Sequence, residues 1–281
     1  MKIDLHCHTK KSKKGDSEKR NVSVEKFIEN IENADVKIAA ITNHNEFDIE
    51  QYNKIINKNI DFQLWPGIEF DVNYKEEEAH LIIIANPKKV DEFNKTIKEI
   101  IRDRKPDEIS INIDIIIDKF KDKDVLFLGH SFGKNKKISK AMNDKLMEGI
   151  NENHRLFLEP SSYKTLSVMV DYGFRAIMGS DIENWEEYFK CELPELKLEI
   201  DSFEKFILLA KKDTSTINTL LQKKEKKDIT INIKINDKKY IKETIPIYND
   251  INIIFGLKGT GKSRIIDGFY EKFVNDGVSC A

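Results

Sequence analysis

Short apolar runs alternate with amphipathic stretches along most of the chain. Residues 2–8 (KIDLHCH), 37–44 (KIAAITNH), 62–70 (FQLWPGIEF), 80–86 (HLIIIAN), 124–130 (DVLFLGH), 154–160 (HRLFLEP) and 174–181 (FRAIMGSD) read as strands. Between most of them, Val24–Ala34, Phe47–Asn57, Val90–Arg102, Ile138–Ile150 and Thr165–Tyr172 carry apolar residues at three- and four-residue spacing, the pattern of helices with one buried face. Several strands are apolar throughout, as strands covered on both faces are. This alternation predicts parallel β/α units, and about seven of them predict an α/β barrel. Residues 106–120 fit either helix or strand, and a helix ending near Phe120 is favoured.

The pattern changes beyond Asp181. Residues 201–225 predict a charged helical segment, and Lys223–Asp228 is a solvated run of the kind found at boundaries. Residues 229–235, 238–247 and 250–256 then read as short strands, with a turn at Asn236 and Asp237 between the first two. The expected organisation is a barrel over 1–200, a charged linker over 201–228 and a second domain from 229 to 281.

Composition narrows the function. With 47 Lys+Arg against 49 Asp+Glu in 281 residues, a net charge of −2 excludes binding nucleic acid by bulk charge, though not at a local site. Three Cys without tight spacing make no disulfide framework and fit a reducing cytoplasm. The first apolar run begins at Ile3, leaving no room for a signal peptide, and no run approaches the roughly 20 residues that span a membrane. A cytoplasmic protein without a membrane partner is expected.

Candidate chemistry gathers at the predicted strand ends, where barrel active sites form. Those ends carry His6 and His8, His44, Glu69, His130, Glu159 and Asp181. His80 instead opens its strand, and a hairpin through the acidic turn Lys75–Glu78 would return it to the same rim. Alternation puts the His6 and His8 rings on one face and Cys7 on the other, so the pair can grip one ion. Gly67, Gly129 and Gly179 are expected to use their φ freedom to turn the chain sharply beside the site. Imidazoles with carboxylates suit Zn²⁺, Mn²⁺ or Fe. A bridging Glu suits a multinuclear site, in which adjacent ions activate water and clamp a phosphoryl oxygen. Glu159 is read as a polar rim residue ahead of a group that supports the ligands from behind, His154 as a surface or loop histidine, Cys7 as core packing, and Cys191 and Cys280 as ordinary thiols. The basic stretch Lys10–Lys14 with Arg20 reads equally as a contact to a phosphate backbone or as a solvated loop.

Taken in order, DLHCHT, ITNH, GIE, the His80 strand, GH at 129–130 and GSD at 179–181 resemble the motifs of the PHP (polymerase and histidinol phosphatase) superfamily over roughly residues 1–190. The resemblance implies a distorted (β/α)7 barrel that binds two or three divalent ions and hydrolyses phosphate esters. It implies that His6, His8, Glu69 and Asp181 hold one ion. Glu69 would bridge to a second ion held by His80 and His130, with His44 in a third site; His6, His8, Glu69, His130 and Asp181 would carry catalysis. The third site departs from the family pattern. Lys13 and Lys14 stand where an Asp or His is usual, with Asp16 as a shifted substitute; Asn43 precedes His44, and Glu183 replaces a His.

A second motif lies further on. Gly256, Leu257, Lys258, Gly259, Thr260, Gly261, Lys262 and Ser263 match GxxxxGK[ST] between an apolar predicted strand and a predicted helix. Backbone N–H groups of such a loop cradle phosphates, with Lys262 reaching the β/γ-phosphates and Ser263 ligating Mg²⁺ of bound ATP. The segment resembles the start of an ABC/SMC- or RecF-like ATPase, and the whole resembles the TrlF-like arrangement. Residues 264–281 are too few to complete such a sheet, so a longer gene product or a partner chain completing the ATPase is expected. The leading functional expectation is a metal-dependent phosphoesterase acting on nucleic acid (DNA or RNA) or nucleotides, with an ATP-binding module. A small-molecule phosphatase of histidinol phosphatase type and a non-catalytic sensor or scaffold are the alternatives.

Overall fold

The computed structural model describes residues 1–196, 198–212, 226–236, 239–248 and 252–275. It divides into two compact units, Met1–Lys223 and Lys224–Ala281.

The first unit is a curled, half-barrel sheet with helices outside it. Its strands are β1 (Lys2–Cys7), β2 (Val36–Ile41), β3 (Gln63–Tyr74), β4 (Glu77–Ala85), β5 (Ile111–Asn112), β6 (Val125–His130) and β7 (Leu156–Glu159). They lie in the order β1-β2-β3-β4-β6-β7, with β5 against the end of β3. Pairing is parallel except around β4, where the hairpin expected through Lys75–Glu78 reverses the chain. β3 and β4 form an antiparallel hairpin and β4 is antiparallel to β6, whereas β1/β2, β2/β3 and β6/β7 are parallel. The seventh expected stave, residues 174–181, forms only a single bridge, Leu158 to Ala176. Its last residues turn inward to other partners: Ser180 N–H donates to Asp4 Oδ1, and Asp181 N–H to the His6 carbonyl.

Helices α1 (Val24–Asn33), α2 (Ile49–Ile56), α3 (Val90–Ile101), α4 (Ile113–Phe120), α5 (Lys140–Gly149), α6 (Tyr163–Asp171) and α7 (Phe203–Ala210) fill the connections. Ser23, Asp48, Asn112, Ser139, Ser162 and Ser202 cap six of them by accepting a backbone N–H of the first turn, which fixes where each begins. The ambiguous stretch 106–120 resolves into a 3-10 turn (Pro106–Glu108), the two-residue β5 and then α4.

Alternation along the strands sorts the core into layers. Ile82 and Ile84 of β4, Leu126 and Leu128 of β6, Trp65 and Phe157 face the concave side. Leu81, Ile83, Val125 and Phe127 face outward onto α3, α4 and α5. The concave core is closed below by α7, whose Phe203 and Phe206 meet Trp65 edge-on at ring-centroid distances of 5.0 and 5.5 Å. Residues 203–210 thus belong to the core of the first unit, although their charged neighbours read as linker. No helix among the described residues is long and apolar enough to cross a membrane.

In the second unit β8 (Lys226–Asn236) and β9 (Lys239–Tyr248) form an antiparallel hairpin, and α8 (Lys262–Asn275) packs on it through Ile265, Phe269 and Phe273. Residues 252–256, expected as a strand, have no regular structure: a strand needs a ladder partner for its backbone, and none is present among the described residues. Residues 250 and 251 of that expected strand, and Asp237 of the expected turn, lie outside the described residues.

Candidate metal centre

The alternation that builds the concave core also builds the site above it. Continuing two residues past Leu128 and Phe157 gives His130 and Glu159, and two residues before Ile82 gives His80. The β3–β4 hairpin sets His80 opposite Asp71, so its ring reaches Glu69 despite opening its strand. A register irregularity between Asp4 and Cys7 resets the alternation of β1, sending His6 and His8 to the site and Cys7 to the outer core.

Glu69 is the hub. Its Oε2 lies 3.1 Å from His6 Nε2, 3.1 Å from His8 Nε2 and 3.0 Å from His44 Nε2. Its Oε1 lies 2.5 Å from His80 Nδ1 and 3.2 Å from His130 Nε2. Asp181 completes the rim, with Oδ1 3.3 Å from His8 Nε2 and 3.7 Å from His6 Nε2. The structure therefore brings together all seven candidate ligands. They fall into four groups able to hold an ion: His6–His8–Asp181, His6–His130–Glu159, His8–His44–Glu69 and Glu69–His80–His130.

The site holds more than the sequence indicated. Glu159, read as a rim residue, is fully buried; its oxygens lie 2.9 and 3.0 Å from His6 Nδ1 and 3.3 Å from His130 Nε2. Asp71, not singled out, meets His80 Nε2 at 3.0 Å and is held by Asn45, Lys13 and Lys136. Asp16 does approach the site, 2.7 Å from His44 Nδ1, while Glu183 is exposed and lies in none of the four groups. His154 lies apart, beside Glu152. The basic stretch is not a free lysine loop. Lys10 pairs with Glu46 and Asp48, Lys13 with Asp71, and Arg20 is buried between Asp16 and Asp181.

The three glycines do not turn the chain, since none has a positive φ. Gly179 is needed for closeness instead: a Cβ there would sit 2.4 Å from His6 Cβ and 2.8 Å from Glu159 Oε1. Asp181, two residues on, does adopt the left-handed region at φ 44°, a strain of the kind that collects at functional sites.

The electrostatics favour a cation. Burial opposes ionisation of Glu69, yet His6 and His44 hold its pKa well below the usual carboxylate range. Burial likewise works against the charged form of His6, but Glu159, Asp181 and Glu69 raise its pKa to about 10. For His8 burial prevails and the pKa falls. The donor set fits divalent ions on geometry too. Glu69 Oε1, His130 Nε2 and both ring nitrogens of His80 are buried without a well-formed hydrogen bond, although Glu69 Oε1 lies against His80 Nδ1 and Asp71 Oδ1 lies 3.0 Å from His80 Nε2. Orphaned buried polar atoms cost about 1–3 kcal/mol each. Lone pairs converging in this way meet that cost when they share a positive ion.

In the second unit the expected phosphate loop wraps its own lysine. Lys262 Nζ donates to the carbonyls of Gly256 (2.7 Å) and Leu257 (2.9 Å), and Thr260 Oγ1 donates to Leu257 O. Gly256, Gly259 and Gly261 all take positive φ, and Lys258 and Ser263 are exposed.

No family model and no curated protein matches the chain. Solved structures do. Endonuclease Q, determined with a 27-mer duplex carrying an abasic lesion at the active site, aligns with a TM-score of 0.55 at 14% identity, over 75% of this chain and 57% of its own. A structure described as a metal-dependent phosphoesterase from Bifidobacterium adolescentis gives 0.50 at 13% identity, over 75% and 96%. An amidohydrolase from Chromobacterium violaceum, with bound sulfate and no metal, gives 0.50 at 10% identity, over 76% and 98%. The fold is thus one shared with barrel-like hydrolases. None of the three is described as carrying an ATP-binding segment.

Proposed function

We propose that the first unit is a metal-dependent phosphoesterase with two or three ions in a distorted barrel of PHP type, acting on nucleic acid or nucleotides. One observation carries the reading. The two oxygens of a single buried carboxylate, Glu69, face two separate sets of histidines, which is the arrangement of a bridging ligand. His6, His8 and Asp181 would hold one ion, His80 and His130 a second, and His44 would serve a third. Paired ions of this kind supply activated water and neutralise charge on phosphoryl oxygens. The protein's own part is orientation. Asp16 fixes the Nδ1 side of His44 and Glu159 that of His6, leaving the Nε2 atoms to face Glu69. A nucleic-acid substrate is supported by the DNA duplex held by the Endonuclease Q structure.

The test is the bound-metal content of the purified chain and its hydrolysis of a phosphodiester, with the double substitution His8→Ala and Asp181→Ala as control. Absence of metal, or undiminished activity in the double variant, refutes the reading. Comparing a phosphomonoester with single-stranded and duplex oligonucleotides separates a nuclease from a small-molecule phosphatase.

For the second unit we propose nucleoside triphosphate binding with Mg²⁺ at Gly256–Ser263. The support is the local conformation, three positive-φ glycines curling the backbone around the Lys262 ammonium. Loss of ATP-analogue binding in Lys262→Ala is expected, and equal binding by both proteins refutes it.

A further inference from the structure

The charges around the histidine cluster identify how the substrate is gripped. Five carboxylates face the rings: Asp16, Glu69, Asp71, Glu159 and Asp181. Four cationic side chains pair with them: Lys13, Arg20, Lys134 and Lys136. With neutral imidazoles the balance is one negative charge. Two divalent ions turn that deficit into a surplus of three positive charges, in a largely buried pocket where uncompensated charge is costly. A neutral amide leaves the surplus standing, and an anionic phosphoryl group offsets it.

The surplus falls on one side chain. Lys13 and Lys136 both pair with Asp71, which belongs to none of the metal-holding groups, and Lys136 also reaches Glu78 at 3.5 Å, so both keep carboxylate partners away from the ions. Arg20 is buried and tied at both ends, Nη1 to Asp16 and Nη2 to Asp181. Lys134 alone of the four has both its partners, Asp181 at 2.8 Å and Glu159 at 3.6 Å, within those groups. Its backbone is fixed: its N–H donates to Ser131 O, and the neighbouring Phe132 carbonyl accepts from Ser161 N–H. Its flexible stem lines a cleft of about 420 Å³ together with Ser161, Ser162, Ser180 and Asp181.

We propose that Lys134 is the residue that grips the substrate's phosphoryl group, exchanging Asp181 and Glu159 for a phosphate oxygen when divalent ions occupy the histidine cluster. This rests on the phosphoesterase reading for its substrate class. Lys134 belongs to no sequence motif and stands in a loop between predicted elements.

The experiment compares the full chain with Lys134→Met and Lys134→Arg, each loaded with Mn²⁺, measuring bound Mn²⁺ and calorimetric binding of inorganic phosphate. Lys134→Met is expected to keep its Mn²⁺ and to bind phosphate about ten-fold or more weakly, the cost of one charge-assisted bond. Lys134→Arg is expected to stay within a few-fold of wild type. Wild-type phosphate affinity in Lys134→Met overturns the proposal, as does a joint loss of Mn²⁺ and phosphate that Lys134→Arg fails to rescue. If the wild-type chain hydrolyses no phosphoester yet binds phosphate through Lys134, the enzymatic reading fails and the recognition residue stands. If it does hydrolyse phosphoesters but Lys134→Met binds phosphate normally, the reverse holds.

Discussion

Replacing Glu159 by Gln changes no volume, yet it reverses the hydrogen bonding behind His6. Glu159 is fully buried, and its Oε1 accepts the Gly179 N–H at 3.0 Å. A glutamine that keeps this bond through its amide oxygen turns its NH₂ toward His6 Nδ1, 2.9 Å from the present Oε2. His6 must then accept at Nδ1 and carry its proton on Nε2, the nitrogen aimed at Glu69 and His8. The ring becomes unfit to ligate from that side. Lost carboxylate support behind a ligating histidine costs roughly 10–100-fold in metal affinity, or about 1.4–2.7 kcal/mol. Competition for Mn²⁺ or Zn²⁺ against a chromophoric chelator measures this directly. Affinity within two-fold of wild type in Glu159→Gln would show that His6 is not oriented through Glu159, and the proposed centre would need a different first ligand.

Two further perturbations probe the scaffold. Gly179→Ala forces a methyl to 2.4 Å from His6 Cβ and 3.0 Å from His6 N; overpacking costs about 1–3 kcal/mol, so a lower urea midpoint and reduced metal content are expected, and wild-type values for both would count against the close approach. At the start of α7, Glu204 is lowered to about 2 by its hydrogen bond to Lys88, helped by its own helix N–H and by Asn86. A depressed folded pKa contributes stability above the unfolded value and loses it as pH falls toward about 2; for this half-exposed pair the effect is about 0.5 kcal/mol. Urea midpoints of wild type and Glu204→Gln should thus differ at pH 6 and converge on acidification, and a constant difference would exclude the pairing.

Much of the centre was legible because strand ends and ligand-type residues coincide: His6, His8, Glu69, His130 and Asp181 meet in space as their positions in the pattern imply. Glu159 and Asp71 were equally available to alternation. Glu159 stands two residues beyond Phe157, and Asp71 two beyond Glu69 on the same face of β3. Glu159 counts among the strand-end candidates yet reads as a rim carboxylate, and Asp71 stands unmarked, because a carboxylate at a strand end is ordinarily solvated; only the third dimension shows both buried against imidazoles. The run at 80–86 is apolar on both faces whichever way it pairs, so its direction is legible only from the turn at Lys75–Glu78 that precedes it and brings His80 back to the rim. The apolar run at 252–256 reads as a strand by composition, yet pairing depends on a neighbour, not on the run itself.

The gap between β7 and β1 is the sheet's unstitched joint. One bridge from Leu158 to Ala176 and a few bonds from Ser180 and Asp181 to β1 cross it. The side chains that would share an ion stand on its two banks, His6 on β1 and His8 just past its end, Glu159 on β7 and Asp181 between them. An ion held there acts as a clasp. Stripping it with a chelator should speed amide hydrogen exchange at 176–181 first, while the β2–β3–β4–β6 ladder stays protected. On the proposed function, the part of the wall that would do the chemistry is also the part whose closure its ion would secure.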